Sequence, residues 1–258
     1  MRRDVRELRA FYASPLGQAA RDRVGAKIVE AWEGARRLDV LGIGYATPFL
    51  EAFRPEARRV IAVSPAAQGV EPWPAGRKGL ACLSSETRLP FTNALFDRVL
   101  LVHALEESDD PEGMLAEAMR VLASNGRIIL MAANRRGLWS RAESTPFGHG
   151  RPFTRSQLEA VVRAVGLEPT AWSRALYAPP HSFFAPFAEA LEQVGSRLAA
   201  PMSGVILLEA VKQTLAVKPR GVRAPAFAPV FQPVPVGATR SAARVSRNGT
   251  WNRKADQS

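Results

Sequence analysis

Residues Phe96–Leu130 read FDRVLLVHALEESDDPEGMLAEAMRVLASNGRIIL, and the order of their parts decides the fold. The run FDRVLLVHALE holds a block of consecutive apolar residues. Such a block, without alternation, suits a strand covered on both faces inside a parallel sheet. PEGMLAEAMRVLASNG follows as an amphipathic helix, with Pro111 at its start and Gly126 just past its end. RIILMAAN, residues 127–134, then reads as another strand.

The same alternation continues outward in both directions. Downstream, TRSQLEAVVRAVG is a helix opened by Thr154, and GVILLEAVKQTL is a late strand. Upstream, RLDVLGIG, RRVIAVSP and GLACLSS read as three strands, and PFLEAFRP between the first two is a helix stopped by Pro55. Ser14 and Pro15 start an earlier helix, where the hydroxyl caps and proline suits the first turn. Leu16, Ala20, Val24, Ile28 and Trp32 then recur every four residues along one face. Strands alternating with helices predict an α/β chain built on a doubly wound, mostly parallel sheet.

Composition narrows the function. The chain has 258 residues, of which 47% are hydrophobic, enough for one α/β domain with a sizeable core. No uninterrupted apolar run approaches 18 residues, so no transmembrane helix is expected. The opening MRRDVRELRAFYASPLGQ puts charges where a signal peptide needs apolar residues, and a cytoplasmic protein is expected. The single cysteine, Cys82, excludes an internal disulfide and a Cys-rich zinc site. His103, His149 and His181 are too scattered to suggest any metal centre.

The net charge of +11 is unevenly spread. From Lys218 onward eight basic residues stand against Asp256 alone, which leaves only +4 for the first 217 residues. That tail is rich in Pro, Ala, Ser and Gly and has no periodicity, so residues 218–258 are expected to be disordered. A basic tail of this kind can meet nucleic acid or another acidic partner. The expected organisation is a helical lid over residues 1–35, an α/β domain over 36–217, and the tail.

In a doubly wound sheet, ligands bind at the carboxyl ends of the strands. Those ends present Gly42, Gly44 and Tyr45 after the first strand and Ser64 after the second. Ser85 and Glu86 follow the third strand, and His103 stands near the end of the fourth. Gly42 and Gly44 let a ligand approach the backbone without a Cβ in the way. Tyr45 offers an aromatic face to a cation. Trp73 is a candidate to stack on a base, with packing on its own domain as the alternative. His149, in the Gly- and Pro-punctuated loop STPFGHGRPFT, is the catalytic candidate. Arg135, Arg136, Arg141, Arg151 and Arg155 cluster around that loop and can grip a carboxylate or phosphate. Phe183, Phe184, Phe187 and Leu191 are expected near one helix face, as core or as an apolar pocket wall.

LPFTNALFDRVLLVHALEESDDPEGMLAEAMRVLASNGRIIL, Leu89–Leu130, resembles the class I S-adenosylmethionine-dependent methyltransferases, and their type 11 group in particular. The likeness runs through Leu-Pro-Phe, Phe-Asp, a strand, Asp-Pro, a helix ending in Arg-Val-Leu, then Asn-Gly and a strand. It implies a Rossmann-like methyltransferase fold, S-adenosylmethionine as cofactor, and methyl transfer to a small-molecule acceptor. It also implies cofactor contacts at Gly42, Gly44, Tyr45, Ser64, Ser85, Glu86 and His103. The first loop departs from the family pattern, with Val40 where an acid is usual and Ala46 where a third glycine is usual. Ser64 replaces the acid that grips ribose. The alternative implied by these departures is a degenerate methyltransferase fold that serves as a binding or regulatory module. No Asn-Pro-Pro-Tyr-like tetrapeptide follows the fourth strand, where HALE stands, which weighs against base methylation.

Overall fold

A computed structural model describes residues 2–76, 79–198, 202–212 and 252–253. Helix α1 (Val5–Ala13) is capped by the Asp4 side chain. Ser14 breaks it from α2 (Pro15–Trp32), and the Ser14 hydroxyl accepts from the Gly17 amide at 3.1 Å. The expected α2 face is buried at Ala20, Val24, Ile28 and Trp32. Helix α1 falls within the helical lid expected over residues 1–35, although the only helix start read there was Ser14, and it buries Val5, Leu8 and Tyr12 on one face.

The sheet follows. Its strands are β1 (Asp39–Gly44), β2 (Arg59–Pro65), β3 (Ala81–Ser84), β4 (Phe96–Val102), β5 (Leu122–Ala133), β6 (Leu167–Ala175), β7 (Val205–Lys212) and β8 (Asn252–Arg253). Among the described residues they form one sheet in the order β3-β2-β1-β4-β5-β7-β6-β8. The pairs from β3 through β5 are parallel. β7 runs antiparallel to both β5 and β6. The expected doubly wound, mostly parallel sheet is therefore present. Strand order reverses between β1 and β4, the position where such sheets open a ligand crevice.

Alternation along the strands feeds two cores. Val40, Ala62, Leu100 and Ile129 face α1, α2 and the short α3 (Thr47–Leu50). Leu41, Val63, Val99 and Ile128 face α4 (Pro111–Val121) and α5 (Arg155–Ala164). Helix starts follow their capping chemistry: Asp110 accepts from the Gly113 amide ahead of α4, and Thr154 with Gln157 forms a capping box on α5.

Several expectations need correction. α4 ends at Val121, five residues before Gly126. The carbonyls of Arg120 and Val121 accept from Ala94 and Leu95, and Leu122 already pairs with Phe96 in the sheet. Sheet pairing thus takes the last-turn carbonyls that a longer helix would leave to its own capping. β6 carries no strand signal in the sequence, because Pro169 lies inside it. The register shifts between Pro169 and Ala171, and such an irregularity tolerates the missing amide. Phe183, Phe184 and Phe187 sit in a 3-10 segment (Ser182–Phe187) ahead of α6 (Ala188–Leu198), not on the helix with Leu191. The expected disordered tail lies outside the described residues except Asn252–Arg253, which pair with Ala171 and Trp172 of β6. No helix among the described residues is long and apolar enough to cross a membrane.

Candidate cofactor and active site

The turn after β1 is as tight as its glycines suggest. A Cβ on Gly42 would lie 2.6 Å from the Ala46 Cβ. Gly44 has φ +82°, and a Cβ there would lie 2.2 Å from the Val102 carbonyl oxygen. Tyr45 turns its amide back to the same carbonyl at 2.9 Å, locking the turn against β4. Its hydroxyl donates to Glu71 at 3.0 Å. Burial, then the Glu71 charge, push the Tyr45 phenol well above its ordinary pKa. Asp39 takes no part: it lies at the far end of β1, where its carboxylate receives Arg58 Nε at 2.9 Å.

The other anticipated residues share this edge of the sheet. Ser64 is buried at the end of β2. Ser85 is exposed, its hydroxyl 3.2 Å from that of Thr87. Glu86 is ion-paired with Arg2 and accepts from the Ser108 hydroxyl. His103, just past β4, is held at φ +48°, a left-handed conformation that non-glycine residues adopt at a cost and that is common at working sites. Burial, with Arg3 nearby, drops its pKa to about 3, so its imidazole is neutral. Trp73 is packed into its own domain with the Arg54 guanidinium 5.6 Å from its ring centre.

Helix α1 lies across this edge. Val5 donates its amide to the Gln68 carbonyl at 2.8 Å. Arg3 donates its amide to Glu107 at 2.8 Å. Tyr12 stacks on Tyr45 at 5.7 Å between ring centres and shares a 2.8 Å hydrogen bond with His103 Nε2. Phe147 closes the cluster, 4.8 Å from the His103 ring centre. His149 stands at the rim, its Nε2 near the Glu143 carbonyl at 2.7 Å and in contact with Arg3.

Two groups beneath α1 are poorly served. Gln68 is 1% exposed, and neither its Nε2 nor its Oε1 has a partner. Glu106, just beyond His103, uses Oε1 to accept the Ala133 amide at 2.8 Å, while buried Oε2 has no partner. Burial raises the Glu106 carboxyl to about 7, against the lowering effect of its backbone hydrogen bonds. Such unmet buried groups cost about 1–3 kcal/mol each. Sequence reasoning missed Gln68 and Tyr12, and reached Glu106 only as the last of the residues, His103 to Glu106, that follow the fourth strand. Glu106 carried one signal, an acid directly after a buried strand. Tyr12 carried none, since it meets His103 across 91 positions of chain.

Comparison with known proteins adds a likeness to this geometry. Residues 38–130 match the family described as a methyltransferase domain. Over those residues the chain is similar to a methyltransferase domain. Solved structures agree in fold. A Thermotoga maritima S-adenosylmethionine-dependent methyltransferase, described as a possible histamine N-methyltransferase, is 19% identical with a TM-score of 0.51, covering 80% of this chain and 92% of that one. An Archaeoglobus fulgidus S-adenosylmethionine-dependent methyltransferase is 18% identical with a TM-score of 0.53, covering 74% and 94%. The complex of the Haloferax volcanii Trm112 methyltransferase activator with its methyltransferase matches at 16% identity and a TM-score of 0.56, covering 83% and 100%. No curated protein matches the chain.

Proposed function

We propose that the protein transfers a methyl group from S-adenosylmethionine to a small-molecule acceptor at the edge covered by α1. The carrying observation is the pair of unmet buried groups, Gln68 and Glu106, beneath that helix. Polar groups left unsatisfied in a protein interior point to a partner that is absent when the site is closed.

The residues fit the cofactor in kind. The Gly42–Gly44 turn packs tightly against Ala46 and Val102, which fixes the backbone at the carboxyl end of β1. The Gln68 amide offers a donor and an acceptor four positions beyond Ser64, where the family resemblance expects an acid for ribose. Tyr45 and Tyr12 supply aromatic faces for a cation. When bound, the cofactor supplies an electrophilic methyl on a sulfonium. The protein then has to orient the acceptor, exclude water and take one proton.

Glu106 suits the last task. A carboxyl near 7 is about half ionised at neutral pH, the condition that favours a general base. Its proton comes from the acceptor atom that takes the methyl. Burial by Phe147 and α1 excludes water from the same place. His149 acts at the rim, positioned by the Glu143 carbonyl.

Of the expected lid over residues 1–35, only α1 serves as the moving part in this reading, because α2 is buried in the core. α1 must leave Tyr45 and His103 for ligand to enter, and the break at Ser14 is the hinge. Calorimetric titration of the full chain with S-adenosylhomocysteine tests the proposal, with Gly44→Val as control. Saturable heat that Gly44→Val abolishes supports it. Absence of binding at millimolar ligand sinks it in favour of the module reading, in which α1 closes the edge permanently.

A further inference from the structure

A second cleft opens on the carboxyl edge of the sheet, away from the glycine turn. It has a volume of about 430 Å³ and lies between the ends of β5 and β6 and the start of α5. Asn134, Arg136, Thr154, Arg155 and Arg174 line it. We propose that this cleft binds a phosphoryl group through Arg136, Arg155 and Arg174.

The three guanidiniums are drawn from three separate elements. Arg136 follows β5, Arg155 opens α5, and Arg174 ends β6. The Arg155 and Arg174 guanidiniums lie 4.3 and 4.9 Å from the centre of the Trp172 ring. One indole thus steadies two like charges that would otherwise separate. Their proximity is felt: burial first, and then the charges of Arg155 and Arg136, lower the pKa of Arg174. Among the described residues lining the cleft, Glu159 is the sole carboxylate. It is shared between Arg155 at 2.7 Å and Arg163 at 3.5 Å.

Arginine forks match the oxygens of a tetrahedral dianion in pairs. Thr154 and Ser156 add hydroxyls beside them, and the start of α5 contributes the same sign of field. Among the anticipated loop arginines, only Arg136 and Arg155 belong to this set. Arg135 instead donates to the Pro152 carbonyl at 3.0 Å. Arg174 joins from β6, an element the sequence did not reveal. The phosphoryl group belongs either to free inorganic phosphate or to a phosphomonoester. The inference does not depend on cofactor binding.

Calorimetry on the full chain at constant ionic strength, balanced with sodium chloride, tests it. Inorganic phosphate, phenyl phosphate and acetate are titrated separately. Phosphate is expected to saturate at one site per chain, with acetate at least tenfold weaker. Arg174→Met keeps the stem on Trp172 and removes the charge, and is expected to weaken phosphate about tenfold. Arg136→Ala, at an exposed position, guards against a folding defect in the first variant and is expected to weaken phosphate severalfold. Phenyl phosphate binding as well as phosphate identifies an esterified ligand, whereas its exclusion identifies the free ion. Heat that does not saturate, acetate equal to phosphate, or affinity unchanged in both variants overturns the proposal.

Discussion

Replacing Gln68 with leucine should move stability and ligand affinity in opposite directions. Both polar atoms of this side chain are buried without a partner, and the residue is 1% exposed. Leaving such a group unmet costs about 1–3 kcal/mol, and an apolar side chain of similar size avoids that cost. The backbone of Gln68 keeps its own bonds, donating to Pro65 at 2.9 Å and accepting from Val5 at 2.8 Å, so the substitution spares the local chain. Gln68→Leu is therefore expected to stabilise the ligand-free protein by about 1–3 kcal/mol. For a domain of this size each kcal/mol raises Tm by about 2–4 °C. If the amide meets the ribose, losing up to about 1.5 kcal/mol of hydrogen bonding weakens S-adenosylhomocysteine up to about tenfold. Differential scanning calorimetry and isothermal titration read the two effects. A lower Tm would refute the reasoning about the unmet group. A higher Tm with unchanged affinity would refute the assignment of Gln68 to the cofactor.

Three further outcomes follow from the same geometry. Glu106 holds its proton up to about pH 7 in the folded chain but only to about 4.5 in the unfolded one, so folding stability falls as pH rises between these values. That amounts to roughly 3 kcal/mol across the window; denaturation of Glu106→Gln should show the slope removed, and a pH-rate profile of the variant should lack the rising limb near 7. Deleting residues 1–13 removes Leu8 and Tyr12 from the covered edge, and stopped-flow binding should show faster S-adenosylhomocysteine association alongside a reduced Tm; unchanged association argues against a lid. Gly44→Ala must hold φ +82° and meets the Val102 carbonyl, so chemical denaturation should report a loss of more than about 1 kcal/mol, and a neutral result would mean the turn is not as tight as described.

Much of the fold was legible because its signals are local. Consecutive apolar residues in β4, the Asp110-Pro111 start of α4 and the Thr154 capping box each act within a few positions. Burial on both faces of a parallel sheet leaves no choice of residue type in Val99–Val102, so the pattern survives in a single sequence. The glycine turn was legible for the same reason, since positive φ at Gly44 is a backbone demand written in one letter. β6 was not, because Pro169 interrupts the local pattern and only pairing with β7 makes it a strand.

The site divides along the same line. Sequence alone put Gly42, Gly44, Tyr45, Ser64, Glu86 and His103 at strand ends, because strand ends follow from strands. Tertiary structure alone decided what faces them. Tyr12 reaches His103 and Tyr45, Arg2 reaches Glu86, and Arg174 joins Arg136 and Arg155. It also decided the proton affinity of Glu106 and the neutrality of His103, since both depend on how much water the packed chain removes. Spacing along a chain fixes which face a residue shares with its near neighbours. Which distant groups desolvate it, and which charges it then meets, is fixed only when the sheet brings its strand ends together.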